Sequence, residues 1–155
     1  MEFLAELHPK VVHFPIALFL TFVLFELLGT VLKKDYLNKA AHLLLFLGVV
    51  GSVLAVLSGK QAAAANPNWT EASSALVRDH SSFADITIWY FVGLLVIKTY
   101  LVLKKKMNRT FKYIILVLGL IGCYFVYQTS EHGGQLVTKF GIGTELNIEH
   151  KELND

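Results

Sequence analysis

Four long apolar blocks leave this chain few folds to choose from. They span residues 14–32, 41–57, 83–103 and 111–127. Each approaches the ~20 residues a helix needs to cross a ~30 Å hydrocarbon core. Backbone N–H and C=O groups find no water in lipid, so only helices and closed barrels satisfy them there. Four helices of a soluble bundle would carry polar stripes at helical spacing, and these blocks largely lack them. Composition agrees: 54% of the 155 residues are hydrophobic and 17% charged, against roughly a quarter charged in soluble domains. The expected fold is an all-α membrane protein, a four-helix transmembrane bundle of up-and-down topology.

Basic residues set the expected orientation. The first connection carries Lys33, Lys34 and Lys39, and the third carries Lys104, Lys105, Lys106 and Arg109, with Lys112 just beyond. Lys10, Lys60, Arg78, Lys139 and Lys151 are spread over much more chain. Short loops dense in Lys and Arg stay cytoplasmic, so both termini are expected outside. One domain, 1–155, is expected, with a periplasmic loop at 58–82 and a short C-terminal tail at 133–155. Within that loop, 61–65 favours helix up to Asn66-Pro67, and a short helix capped by Thr70 is expected to run to about His80, with Ser73 and Ser74 facing solvent. The start, MEFLAELHPK, lacks the basic region and cleavage site of a secretory signal, so no processing is expected. The net charge of +2 is explained by the basic loops and is no argument for nucleic acid. A single cysteine, Cys123, excludes an intrachain disulfide.

Two charges well inside the blocks need an account. Glu26 and Lys98 should lie at similar depth, and an unpaired charge there costs several kcal/mol. A structural ion pair between them is expected; the alternative is that Lys98 snorkels to the headgroups while Glu26 is protonated or near water. Small residues recur in the second block at Gly48, Gly51, Ser52, Ala55 and Ser58, and in the fourth at Gly119 and Gly122. They fit close helix packing, and equally would make room for a flat cofactor.

Polar side chains at the membrane also single out the histidines. His8 and His13 open the first block, His80 leads into the third and His132 closes the fourth. An up-and-down bundle gathers all four in one layer near the outer surface, while His42 lies alone at the inner side. Histidine is the commonest metal ligand. His8 and His13 are five residues apart, roughly 140° around a helix, so they do not share a face unless Pro15 distorts the turn. His13, being deeper, is expected to point inward. The first and third helices are diagonal in such a bundle, so His13 and His80 are placed to clamp a haem b iron between apolar walls. His8 and His132 would act around it, with Asp79, Asp85 or Glu131 orienting the imidazoles.

These residues resemble a known family. LHPKVVHFPIAL at the start, a histidine ahead of the third block and HGGQLVTKFGIG after the fourth are similar to bacterial membrane proteins catalogued as domain of unknown function 2231. The resemblance covers nearly the whole chain and is most specific in the HP-x-x-VHFP-x-AL run. It implies four transmembrane helices in the inner (cytoplasmic) membrane, a multi-pass protein. It also implies electron-transfer company, since relatives occur with c-type cytochrome domains. Here Thr138-Lys139 stands where a more aromatic stretch is expected, and one cysteine cannot make a c-type haem attachment motif.

Three functions compete on these grounds. The first is a haem-b protein relaying electrons between a c-type cytochrome and a membrane partner such as quinone. The second is a non-haem site for copper, iron or zinc on His8, His80 and His132. The third is an accessory subunit that only packs against a larger complex; membrane lipid and a homo-oligomer or larger complex are the expected partners. No GxSxG motif supports a nucleophilic hydrolase.

Overall fold

The described residues, 2–65 and 69–143, are almost wholly helical in the computed structural model of the chain. The order is α1 (Glu2–Val11), α2 (His13–Val31), α3 (Asp35–Ala65), α4 (Glu71–Leu103) and α5 (Arg109–Phe140). α1 and α2 form one run that steps at Val12, because Pro15 has no N–H to give the Val11 carbonyl. Bonds from Val12 N–H to the His8 carbonyl (3.1 Å) and from Ile16 N–H to the Val12 carbonyl (3.4 Å) carry the chain through the step. Counting Leu7–Val31 as one span, four helices are long and apolar enough to cross a membrane. Outward faces carry exposed Leu24, Leu54, Trp89 and Leu120, among others, and contact lipid.

The expected loop at 58–82 is mostly helix. Ser58–Ala65 complete α3, and α4 runs unbroken from Glu71 through His80. Nothing between Thr70 and the third apolar block breaks a helix: residues 71–82 hold no Gly or Pro. Thr70 does cap a helix, but that helix is α4 itself. Its hydroxyl accepts from Ser73 N–H (3.2 Å), and the Ser73 hydroxyl accepts from Thr70 N–H (2.9 Å). Ser73 is therefore buried in the cap rather than solvent-facing, and Ser74 is half-buried. The tail expected from 133 is helical to Phe140, where Gly141 (φ 65°) ends α5. Asn66-Pro67 and the remainder of the tail, 144–155, lie outside the described residues.

α2–α3 and α4–α5 are antiparallel hairpins, closed into a ring by α2 against α5 and α3 against α4. The hairpins repeat each other. α1–α2 map onto α4 with an offset of 72 positions, the separation of Glu26 and Lys98, and α3 maps onto α5 with the offset of Gly48 to Gly122. Buried Phe19, Phe22 and Glu26 match buried Phe91, Leu94 and Lys98. Buried Ala41, Leu45, Gly48 and Ser52 match Ile115, Gly119, Gly122 and Val126. The helix ends agree too. Lys33 (φ 55°) and Lys105 (φ 53°) are both left-handed, and the next residues bond back to the Gly29 and Leu101 carbonyls. Both hairpins start at the same end of the bundle, so a pseudo-two-fold runs along its axis, as in parallel repeats.

Phe19 and Phe91 stack across that axis with centroids 3.8 Å apart and planes 5° from parallel. Each ring lies on a glycine. A Cβ on Gly48 would come within 2.7 Å of Phe19, and one on Gly122 within 2.5 Å of Phe91. The space those glycines open is filled by phenyl rings, so the bundle centre is packed core. Gly122→Ala is expected to cost about 1–3 kcal/mol, because Phe91 is held by Phe19 on its other face. Gly93→Ala, with nothing within 4 Å, should not destabilise. Denaturant unfolding in detergent compares the two.

Candidate functional site

The helices bring a polar layer to one level. His8 lies 23 residues before Val31 and His80 23 before Leu103; Ser58 lies 23 after Asp35 and His132 23 after Arg109. At 1.5 Å per residue, all four stand ~34 Å from the basic end of the bundle. That is the far edge of a ~30 Å hydrocarbon core.

His8 and His80 are equivalents under the pseudo-two-fold. Each follows the helix eleven residues, close to three turns, ahead of its phenyl partner, Phe19 or Phe91. Each imidazole also lies on a glycine: a Cβ on Gly59 would reach within 2.8 Å of His8, and one on Gly133 within 3.0 Å of His80. The paired glycines at Gly133-Gly134 thus admit a neighbouring ring rather than turn the chain.

The anchoring of the rings defines their chemistry. The buried Ser58 hydroxyl lies 3.0 Å from the Ala55 carbonyl and 3.0 Å from His8 Nδ1, which it orients. His80 Nδ1–H donates to the Thr129 carbonyl (3.0 Å), and His132 Nδ1–H to the Gln128 carbonyl (2.6 Å). A carbonyl only accepts, which fixes the tautomer of the neutral rings. His80 and His132 in their neutral forms then keep a lone pair on Nε2, for which no hydrogen-bond partner appears among the described residues. Metal-bound histidines are held this way, the second nitrogen donating to a carbonyl or similar acceptor. His132 also stacks on Phe83, centroids 5.1 Å apart. His8 lies within electrostatic range of His80, and His80 of His132. α1 packs along α3 but makes no close backbone approach to α4 or α5 among the described residues. The seam between the His8 and His80 helices is therefore not closed by helix contact.

His13 does not join this layer. It is exposed on the outside of α2, and its equivalent under the two-fold, Asp85, is exposed as well. Depth was the wrong guide. Buried Pro15 and Phe19 fix which face of the helix turns inward; that face includes His8, and ~140° of rotation puts His13 outside. His13 and His80 consequently do not face each other. The acidic residues expected to orient the rings do not: Asp79 and Asp85 are exposed, and Glu131 accepts from Gln135 Nε2 (2.8 Å). Ser58 and two main-chain carbonyls take that role. Among the described residues no three of His, Cys, Asp or Glu converge closely enough to hold a metal ion. His42 stands at the opposite end, its Nε2 3.0 Å from Thr99 Oγ1.

Sequence reasoning missed Ser58, Gly59 and the duplication. The signal was present as His-x10-Phe at 8/19 and 80/91 and as Gly-x10-Gly at 48/59 and 122/133.

Comparison with curated proteins and with solved structures finds no match. The family described as "Predicted membrane protein (DUF2231)" matches residues 5–146, a span that takes in every helix that crosses the membrane and the whole histidine layer, and the chain belongs to that family.

Proposed function

We propose that the histidine layer is a site for a single haem b, which His8 and His80 would hold, and that the protein relays electrons for a cytochrome or quinone partner. The observation that carries this reading is the equivalence of His8 and His80. A pseudo-two-fold supplies one imidazole from each side, each on a glycine and each anchored through Nδ1. Bound between two neutral imidazoles, the group supplies one-electron transfer. α1 makes no close backbone approach to the α4–α5 hairpin among the described residues, and His132, stacked on Phe83, would flank the group. Copper, iron or zinc without a porphyrin needs three or four donors around one ion; His8, His80 and His132 do not converge to that extent, so haem is the better fit.

The visible spectrum tests the proposal. Protein purified from haem-supplied cells is expected to show the Soret and sharp reduced α band of six-coordinate haem b. Folded, colourless protein that takes up no added haemin overturns the reading and leaves a structural membrane subunit.

The same proposal places the layer outside the cytoplasm, on the strength of the basic loops. In a Cys123→Ser background, an impermeant maleimide is expected to label Ala72→Cys in intact cells and Lys105→Cys only after lysis; both positions are exposed. The opposite labelling pattern would move the histidines to the cytoplasmic side.

A further inference from the structure

The internal duplication gives each polar residue a control at its equivalent position. At the basic end, a trough between α3 and α4 is lined by Lys39, His42, Thr99 and Tyr100 over apolar Phe46 and Leu95. Its volume of ≈ 780 Å³ falls in the range of small-molecule sites, roughly 300–1,000 Å³. His42 and Thr99 are hydrogen-bonded inside it. In the equivalent seam, between α5 and α2, those four positions are Tyr113, Leu116, Leu27 and Leu28. That seam packs without a histidine–threonine bond, and its cation, Arg109, lies over the Tyr113 ring (5.8 Å to the centroid) rather than at the position of Lys39. Helix packing therefore does not demand the polar pair in the α3–α4 seam, and polar groups in a lipid-facing seam usually have a partner.

Depth and charge identify the partner. Lys39 is four residues inside the start of α3 and Thr99 four inside the end of α4, so both lie ~6 Å from the helix ends, just inside the edge of the core, from which a lysine snorkels to the headgroups. Lys33, Lys34, Lys104, Lys105, Lys106 and Arg109 crowd the same end. Its acidic residue Asp35 is already bound to Lys112 Nζ (2.6 Å), which leaves the cations in excess. Basic pockets between helices at this depth suit anionic headgroups. A quinone has carbonyls for His42 and Thr99 but no charge for Lys39.

We propose that the α3–α4 trough is a binding site for an anionic phospholipid. Its phosphate meets Lys39, its ester carbonyl accepts from the His42–Thr99 pair, and an acyl chain lies along Phe46 and Leu95. This proposal is independent of the haem reading.

The test is thermal unfolding of detergent-purified protein with added dioleoylphosphatidylglycerol, dioleoylphosphatidylcholine or a short-chain ubiquinone, with bound molecules counted by native mass spectrometry. Phosphatidylglycerol is expected to raise the midpoint saturably and to remain bound, and the other two are not. Lys39→Gln should weaken the effect about fivefold, more than Lys34→Gln, which lies off the trough. His42→Leu with Thr99→Leu copies the other seam, so it should fold and lose the preference. Equal stabilisation by phosphatidylcholine, stabilisation by the quinone instead, equal loss in the two lysine variants, or an undiminished preference in the double-leucine variant would each overturn the site.

Discussion

Under the proposed haem assignment, alanine at either His8 or His80 is expected to abolish the low-spin spectrum, and the two substitutions should be equally severe. Axial ligation is all-or-none for a six-coordinate iron: with one imidazole gone the spectrum becomes high-spin or the group is lost. The equality is the sharper expectation, because the pseudo-two-fold makes the two residues equivalents. His13→Ala and His42→Ala should leave the spectrum intact, since His13 faces outward and His42 sits at the other end of the bundle. His132→Ala should shift potential or retention without removing the bands. Ser58→Ala separates ligand from support. His8 is oriented by a side-chain hydroxyl, whereas His80 is oriented by a main-chain carbonyl that no substitution removes. Losing such a partner typically costs 10–100-fold in affinity, so Ser58→Ala should retain the spectral type but release haem more readily. Loss of the spectrum on His13→Ala, with His8→Ala unaffected, would refute the assignment.

Lys98→Met alone is expected to cost about 3–5 kcal/mol of stability. Lys98 Nζ donates to Glu26 Oε2, and the two side chains are 1% and 0% exposed as residues. Glu26 Oε1 already has no partner among the described residues. Removing the lysine leaves a carboxylate buried against Phe22 and helix walls with nothing to compensate it. Glu26→Gln together with Lys98→Met should be milder than Lys98→Met alone, because the double change removes both buried charges. The duplication adds a second expectation. Glu26 and Lys98 are equivalent positions, so exchanging them, Glu26→Lys with Lys98→Glu, places each charge in the environment its partner had. The exchange should restore most of what either single reversal loses. Strict additivity in the four-member cycle, read by denaturant unfolding in detergent, would show that the contact carries no energy.

Much of this architecture follows from sequence alone. Blocks too long and too apolar for a soluble bundle must be membrane helices, because backbone hydrogen bonds have no other outlet in lipid. Glu26 and Lys98 sit at matching depths for the same reason, since isolated buried charges are too costly to leave unmatched. The histidine layer is likewise visible once up-and-down connections are counted. What the sequence left open was rotation about each helix axis. Depth along a helix can be counted from its ends, but which face turns inward depends on every contact the helix makes at once. Packing of Pro15 on Gly51 and Phe19 on Gly48 turned His8 in and His13 out, against the expectation from depth. The glycines posed the same question: their spacing allowed either tight packing or a cofactor slot, and only the packed structure shows phenyl rings on Gly48 and Gly122 and imidazoles on Gly59 and Gly133. The duplication is written in the sequence only as sparse spacings, since the two halves share burial and ring-on-glycine packing more than residue identity. Sequence determined the solvent, the helices and their depths; tertiary packing, through the shapes of a few rings and the glycines beneath them, decided which imidazoles meet.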